Sequence, residues 1–138
     1  MNTNPIIVID DDDEDIEMIT QAFEEIKVEN ELLTFRSGDS FLDFIRKTDK
    51  RALFILCDIN MSRISGLELK KKIFEDERLR MKCIPFIFLS TSGASDAVMR
   101  AYSFGVQGYF IKPNSFDELK SRLQSIVSYW EGSQHPNR

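Results

Sequence analysis

The chain has 138 residues, 42% of them hydrophobic, with 18 lysines and arginines against 23 aspartates and glutamates and a formal net charge of −5. That length supports one substantial core and no independent second one. The acidic balance argues against nucleic acid or an anionic membrane as partner, because both need a basic surface. Met1 to Pro5 lacks a basic n-region, and the apolar run after it is too short for a signal or a membrane span, so a cytoplasmic protein is expected.

Ile6-Ile7-Val8-Ile9 reads as a buried strand that runs directly into Asp10-Asp11-Asp12-Asp13. Carboxylates so close to a buried segment are tolerated where water, a cation or a partner compensates their repulsion, which suggests a cation site. The plainer reading is an acidic cap, suited to the positive end of the helix dipole. Ile16, Ile19, Phe23 and Ile26 then recur at helical spacing. Leu32 to Arg36 is the second strand, and Phe41, Leu42, Phe44 and Ile45 mark a helix after the Ser37-Gly38-Asp39 turn. Leu53 to Cys57 is the third strand, followed past Gly66 by a helix carrying Leu67, Ile73 and Phe74.

Pro85 to Leu89 is the fourth strand, and Ala97, Val98, Ala101 and Tyr102 give a fourth helix that stops near Gly105. Gln107 to Ile111 is the fifth strand. The last helix is the clearest, with Phe116, Leu119, Leu123, Ile126, Val127 and Trp130 on one face. Residues 1–131 therefore read as one domain and residues 132–138 as a frayed polar tail that contains the single histidine, His135. Cys57 and Cys83, both beside apolar segments, read as reduced core residues.

Five short strands alternating with five helices predict an α/β domain, a doubly wound parallel sheet covered on both faces. Ligands of such sheets bind beyond the carboxyl ends of the strands. Asp58 ends the third strand beside Asp10 and Asp11, with Asn60 two residues on; Ser90-Thr91-Ser92 ends the fourth and Lys112-Pro113 the fifth. Three carboxylates make the oxygen-rich setting that Mg²⁺ prefers, and a lysine aimed at them can also meet an incoming phosphoryl oxygen. These parts suit phosphoryl transfer, which rests on positioning and charge neutralisation, with an aspartate as nucleophile.

Val8-Ile9-Asp10-Asp11, Cys57-Asp58-Ile59-Asn60-Met61 with Gly66, Phe88-Leu89-Ser90-Thr91 and Gly108-Tyr109-Phe110-Ile111-Lys112-Pro113 resemble, in order and over nearly the whole chain, a response-regulator receiver domain of bacterial two-component signalling. The resemblance extends to the chemotaxis regulator and to small stand-alone regulators that serve phytochrome-type kinases. It implies a flavodoxin-like sheet of order 2-1-3-4-5. It implies Asp58 as phosphoacceptor, and Asp10, Asp11, Asp58 and the backbone carbonyl of Asn60 as Mg²⁺ ligands. Ser90 and Lys112 would bind the phosphoryl group, Tyr109 would be the aromatic switch, and the Lys112-Pro113 bond would be cis.

The implied partners are a histidine kinase or histidine phosphotransfer protein and a downstream protein, with a homodimer through the fourth helix, fifth strand and fifth helix as a further assembly. The implied role is that of a phosphoacceptor taking part in its own phosphorylation and dephosphorylation, not of an enzyme turning over a separate substrate. Ser62 stands where the family has a proline and Ser65 where it has an acidic residue, so the loop after Asp58 is expected to be less stiff. An aspartate-nucleophile phosphatase of the haloacid dehalogenase type would carry a second aspartate at position 60, which is asparagine here. A flavin mononucleotide domain would need a donor-rich first loop, whereas Asp10 to Asp13 repel phosphate.

Overall fold

Strands that are apolar at nearly every position are buried on both faces, and three of the five here, Ile6–Ile9, Phe54–Cys57 and Phe86–Ser90, are buried throughout. The computed structural model of the chain describes residues 3–136. Its elements in chain order are β1 (Ile6–Ile9), α1 (Asp13–Glu25), β2 (Leu32–Phe35), α2 (Gly38–Lys47), β3 (Phe54–Cys57), α3 (Gly66–Glu75), α4 (Glu77–Arg80), β4 (Phe86–Ser90), α5 (Ser95–Ser103), β5 (Gly108–Ile111) and α6 (Phe116–Gly132). The strands form one parallel sheet in the order β2-β1-β3-β4-β5.

Alternate side chains of the central strands feed two cores. Ile7, Ile9, Ile55, Cys57, Phe86 and Phe88 pack with Phe41, Leu42 and Ile45 of α2 and Leu69 of α3. Ile6, Val8, Phe54, Leu56, Ile87 and Leu89 pack on the other face with α1 and α6. Helix starts are capped by side chains whose oxygens take up free backbone N–H groups. Asp12 accepts from Glu14 N at 2.9 Å, and Ser65 with Glu68 closes a capping box at α3. Gly105 halts α5 with φ of +81°, a left-handed conformation open to glycine.

Four expectations are corrected. The helices number six among the described residues, because Asp76 ends α3 and its side chain caps the four-residue α4 by accepting from Leu79 N at 3.2 Å. Leu79 alone is buried there, too little to register as a helical period. Cys57 is buried, but Cys83 is exposed, on a turn where its φ is +54°. His135 is buried rather than frayed: its Nε2 lies 2.5 Å from the Leu53 carbonyl and its ring meets Trp130 edge-on at 5.7 Å. The tail thus folds back onto the start of β3. No described peptide bond is cis, the Lys112-Pro113 bond included; a trans bond before proline is the cheaper isomer by about 0.5–1 kcal/mol.

Candidate functional site

The parallel ladder delivers the site residues to one edge. Ile9 pairs with Cys57, and the ladder continues one step further as Asp58 N donates to the Ile9 carbonyl at 2.9 Å. Asp10 and Asp58, each one residue past its strand, therefore emerge side by side. Ser90 pairs with Ile111, and Lys112 N donates to the Ser90 carbonyl at 2.7 Å, which locks the buried hydroxyl residue to the lysine.

One carboxylate oxygen each from Asp10, Asp11 and Asp58 lies within 4.8 Å of the others. Hard oxygen donors in that number and spacing fit a small divalent cation. Lys112 Nζ lies beside them, 3.4 Å from Asp10 Oδ2, 3.6 Å from Asp58 Oδ1 and 2.6 Å from Asp15 Oδ2. Asp15 is the site residue that the sequence reading left unassigned. It sits on the first turn of α1, three residues after the Asp12 cap, and so faces back over the strand ends.

Burial, relieved by the Asp12 N–H and by Lys112, pushes the Asp10 carboxyl up to about 6. Burial likewise raises the Asp58 carboxyl, against the opposing pull of Lys112 and of the Asn60 and Ile59 N–H groups. For Lys112 burial acts downward, but its bond to Asp15 and the charges on Asp10 and Asp58 outweigh it and raise the ammonium above its ordinary value. Raised carboxyl values mean that the folded, metal-free protein binds more protons than the unfolded chain, so these groups lose it stability as pH rises between about 4 and 6. In a chelator, the wild type should therefore gain melting temperature relative to Asp10→Asn as pH falls from 7 to 5. Divalent-cation affinity should fall about tenfold per pH unit below about 6, read by calorimetric titration. Parallel melting curves for the two proteins would contradict the assignment.

The loop after Asp58 is tied down differently than expected. Ser62 N donates to Asp11 Oδ2 at 2.8 Å, a bond that the proline usual at this position could not make. Gly66, at the start of α3, admits no side chain, since a Cβ would stand 2.3 Å from the Asp58 carbonyl oxygen. Ser62→Pro should destabilise the protein by about 1 kcal/mol, the lost charge-assisted bond outweighing the gain from proline in the unfolded state. Urea denaturation measures this, and an unchanged or raised midpoint would remove the bond from the account.

Ser90 is fully buried, and its Oγ accepts from Ser92 N at 3.2 Å. Tyr109 is half-buried against Phe88, its hydroxyl donating to the Ser92 carbonyl at 2.5 Å. Asn60 is exposed at the rim, with its N–H directed at the Asp58 carboxylate. The structure therefore gathers Asp10, Asp11, Asp58 and Lys112 at one point, and sets Ser90 and Tyr109 along the adjoining β4–α5 connection. Asp12 serves as a cap and Asp13 pairs with Arg36 at the surface.

Residues 6–124 match the family model of the response regulator receiver domain. The chain is 34% identical over 131 residues to the probable methanogenesis regulatory protein FilR2 of Methanothrix harundinacea, covering 92% of this chain and 83% of that one. It is 26% identical to the response regulator Rcp1 of Synechocystis, covering 91% and 87%. Among solved structures it superposes on the phosphorylated cyanobacterial phytochrome response regulator RcpA with a TM-score of 0.87, 26% identity and coverage of 98% and 99%. The Mn²⁺-bound form of Rcp1 gives 0.83 at 25% identity, covering 96% and 99%. With the family's match spanning all five strands and the acidic edge built as described, the chain belongs to the response-regulator receiver domains of two-component signalling.

Proposed function

We propose that this chain is a response-regulator receiver that accepts a phosphoryl group on Asp58 from a histidine kinase or a histidine phosphotransfer protein. The observation that carries this reading is the convergence of Asp10, Asp11 and Asp58 within 4.8 Å, with Lys112 Nζ 3.6 Å from the Asp58 carboxylate. Asp10, Asp11, Asp58 and the Asn60 carbonyl would hold Mg²⁺, which when bound neutralises the charge between carboxylates and phosphoryl oxygens. That Rcp1 is known in an Mn²⁺-bound form supports binding of a divalent ion by this chain.

The Asp58 oxygen bonds to phosphorus as the donor's phosphorus–nitrogen bond breaks, its electron pair returning to the imidazole nitrogen. Asp58 is left as an acyl phosphate. Lys112 moves from Asp15 towards the new oxygens, and the Ser90 hydroxyl turns to donate to them. Because the Ser92 backbone is bonded to both Ser90 and Tyr109, a shift at Ser90 loosens the Tyr109 hydroxyl and changes the α5–β5–α6 face. Met99, Tyr102 and Ile111 of α5 and β5 are exposed apolar groups, suited to a downstream protein or a second copy. No helix among the described residues is long and apolar enough to cross a membrane. The cytoplasm, where histidine kinases present their phosphoryl groups, is the proposed compartment.

The test uses acetyl phosphate with the purified chain. Intact-mass spectrometry should show one phosphoryl group added in Mg²⁺ and none in excess chelator. Equal labelling in both would remove the metal from the reaction, and no labelling in either would overturn the acceptor function. Continuous release of phosphate from a small ester, many turnovers per chain, would instead favour the phosphatase reading.

A further inference from the structure

Lys70, on α3, is 7% exposed. It makes no hydrogen bond or ion pair with any described residue, and its surroundings are aromatic. Its ammonium stands 5.9 Å from the Phe74 ring centroid and 5.7 Å from that of Phe86, and it faces Gly105, where an added Cβ would lie 3.9 Å away. Ring faces attract a cation, but they do not replace a counter-ion, so a buried ammonium without a carboxylate is an unusual expense in a fold. Gln107, the nearby amide, is bonded at both ends to backbone: its Oε1 accepts from Phe86 N at 2.7 Å and its Nε2 donates to the Gly105 carbonyl at 2.9 Å.

The ammonium lines a cavity of about 350 Å³, at the sheet edge opposite Asp58, where β4 and β5 begin. Phe41, Ile45, Phe74, Phe86 and Trp130 form much of its wall, with the returning tail contributing Pro136. Arg80 adds a second cation to the wall, its guanidinium 6.0 Å from the Phe74 ring and bonded to the Phe74 carbonyl at 2.7 Å. Among the described residues that line it there is no carboxylate. A mostly apolar hollow of this size with one or two convergent charges has the make-up of a small-molecule site, and the charges here select an anion.

We propose that this cavity binds a small apolar monocarboxylate, its carboxylate paired with Lys70 and its hydrocarbon body lying among the rings. Burial lowers the Lys70 pKa in the absence of an anion, and pairing restores the charged form. The site involves none of the residues assigned to phosphoryl transfer, so its test runs without a phosphoryl donor.

Trp130, the sole tryptophan, lies in the cavity wall and reports occupancy by its fluorescence. The probe is 4-phenylbutyrate, with 4-phenylbutan-1-ol as its uncharged counterpart. The wild type should show a saturable change with the acid and bind the alcohol about tenfold more weakly or worse. Lys70→Met should lose about tenfold in affinity for the acid and none for the alcohol, while Lys70→Arg keeps the preference for the acid. No saturable change with the acid, equal affinities for acid and alcohol, or undiminished acid binding by Lys70→Met would each overturn the proposal. If Lys70→Met does not fold, the comparison of acid with alcohol on the wild type decides alone.

Discussion

Asp58→Asn is expected to show no phosphoryl incorporation from acetyl phosphate under conditions that label the wild type, a fall to background rather than a partial loss. The asparagine keeps shape and volume but offers an amide in place of the anionic oxygen that attacks phosphorus. Neither neighbouring carboxylate is placed to substitute. Asp10 is 2% exposed, with one oxygen accepting from Asp12 N and the other facing Lys112, and Asp11 is bonded to the Ser62 amide. The same substitution should raise the melting temperature of the metal-free protein at pH 7, because it removes a carboxylate that burial disfavours in its charged form. Loss of label together with a higher melting point separates chemistry from misfolding. Persistent labelling would move the acceptor to another residue.

Lys112→Met carries the second large effect. The ammonium is the cation shared by Asp10, Asp15 and Asp58, and its side chain is 17% exposed. Removing it leaves three facing carboxylates without compensation, a change that costs about 3 kcal/mol or more at such sites. The metal-free variant should therefore melt well below the wild type. Mg²⁺ should recover much of the difference, since a divalent ion restores positive charge to the same carboxylates. Phosphorylation by acetyl phosphate should slow by about 10²–10³, the usual cost of one missing charge-stabilising group. Wild-type rates and stability in this variant would place the working cation elsewhere.

Strand ends were legible because each strand is a short apolar run that stops at a polar residue whose chemistry differs from that of its neighbours. Ile9 to Asp10, Cys57 to Asp58 and Ile111 to Lys112 are such steps, and the observed ladder carries each polar residue to the same edge. Asp15 was not legible. On a helix whose first turn also holds Asp13 and Glu14, composition gives no reason to prefer one carboxylate over another. The choice depends on which of them α1 turns towards β5, and α1 is oriented by its packing on α6 and the sheet.

His135 was obscured for a related reason. Gly132, Ser133 and Gln134 have the composition of a frayed end, yet the contact with Trp130 and the Leu53 carbonyl returns the chain to the fold. Ser62 shows the opposite case. The missing proline was read as lost stiffness, whereas the amide it restores donates to Asp11. The gain lies in a backbone proton, invisible to any comparison of side chains.

The pairing of Lys112 with Asp10 spans 102 positions of sequence, and β5 follows the other four described strands along the chain. A chain cut before residue 112 keeps Asp10, Asp15 and Asp58 but lacks the Lys112 ammonium that faces them. Such a fragment would hold three like charges together at a raw sheet edge. The charge that steadies the acidic edge thus comes from the fifth strand, so a cut ahead of residue 112 removes compensation and sheet edge together.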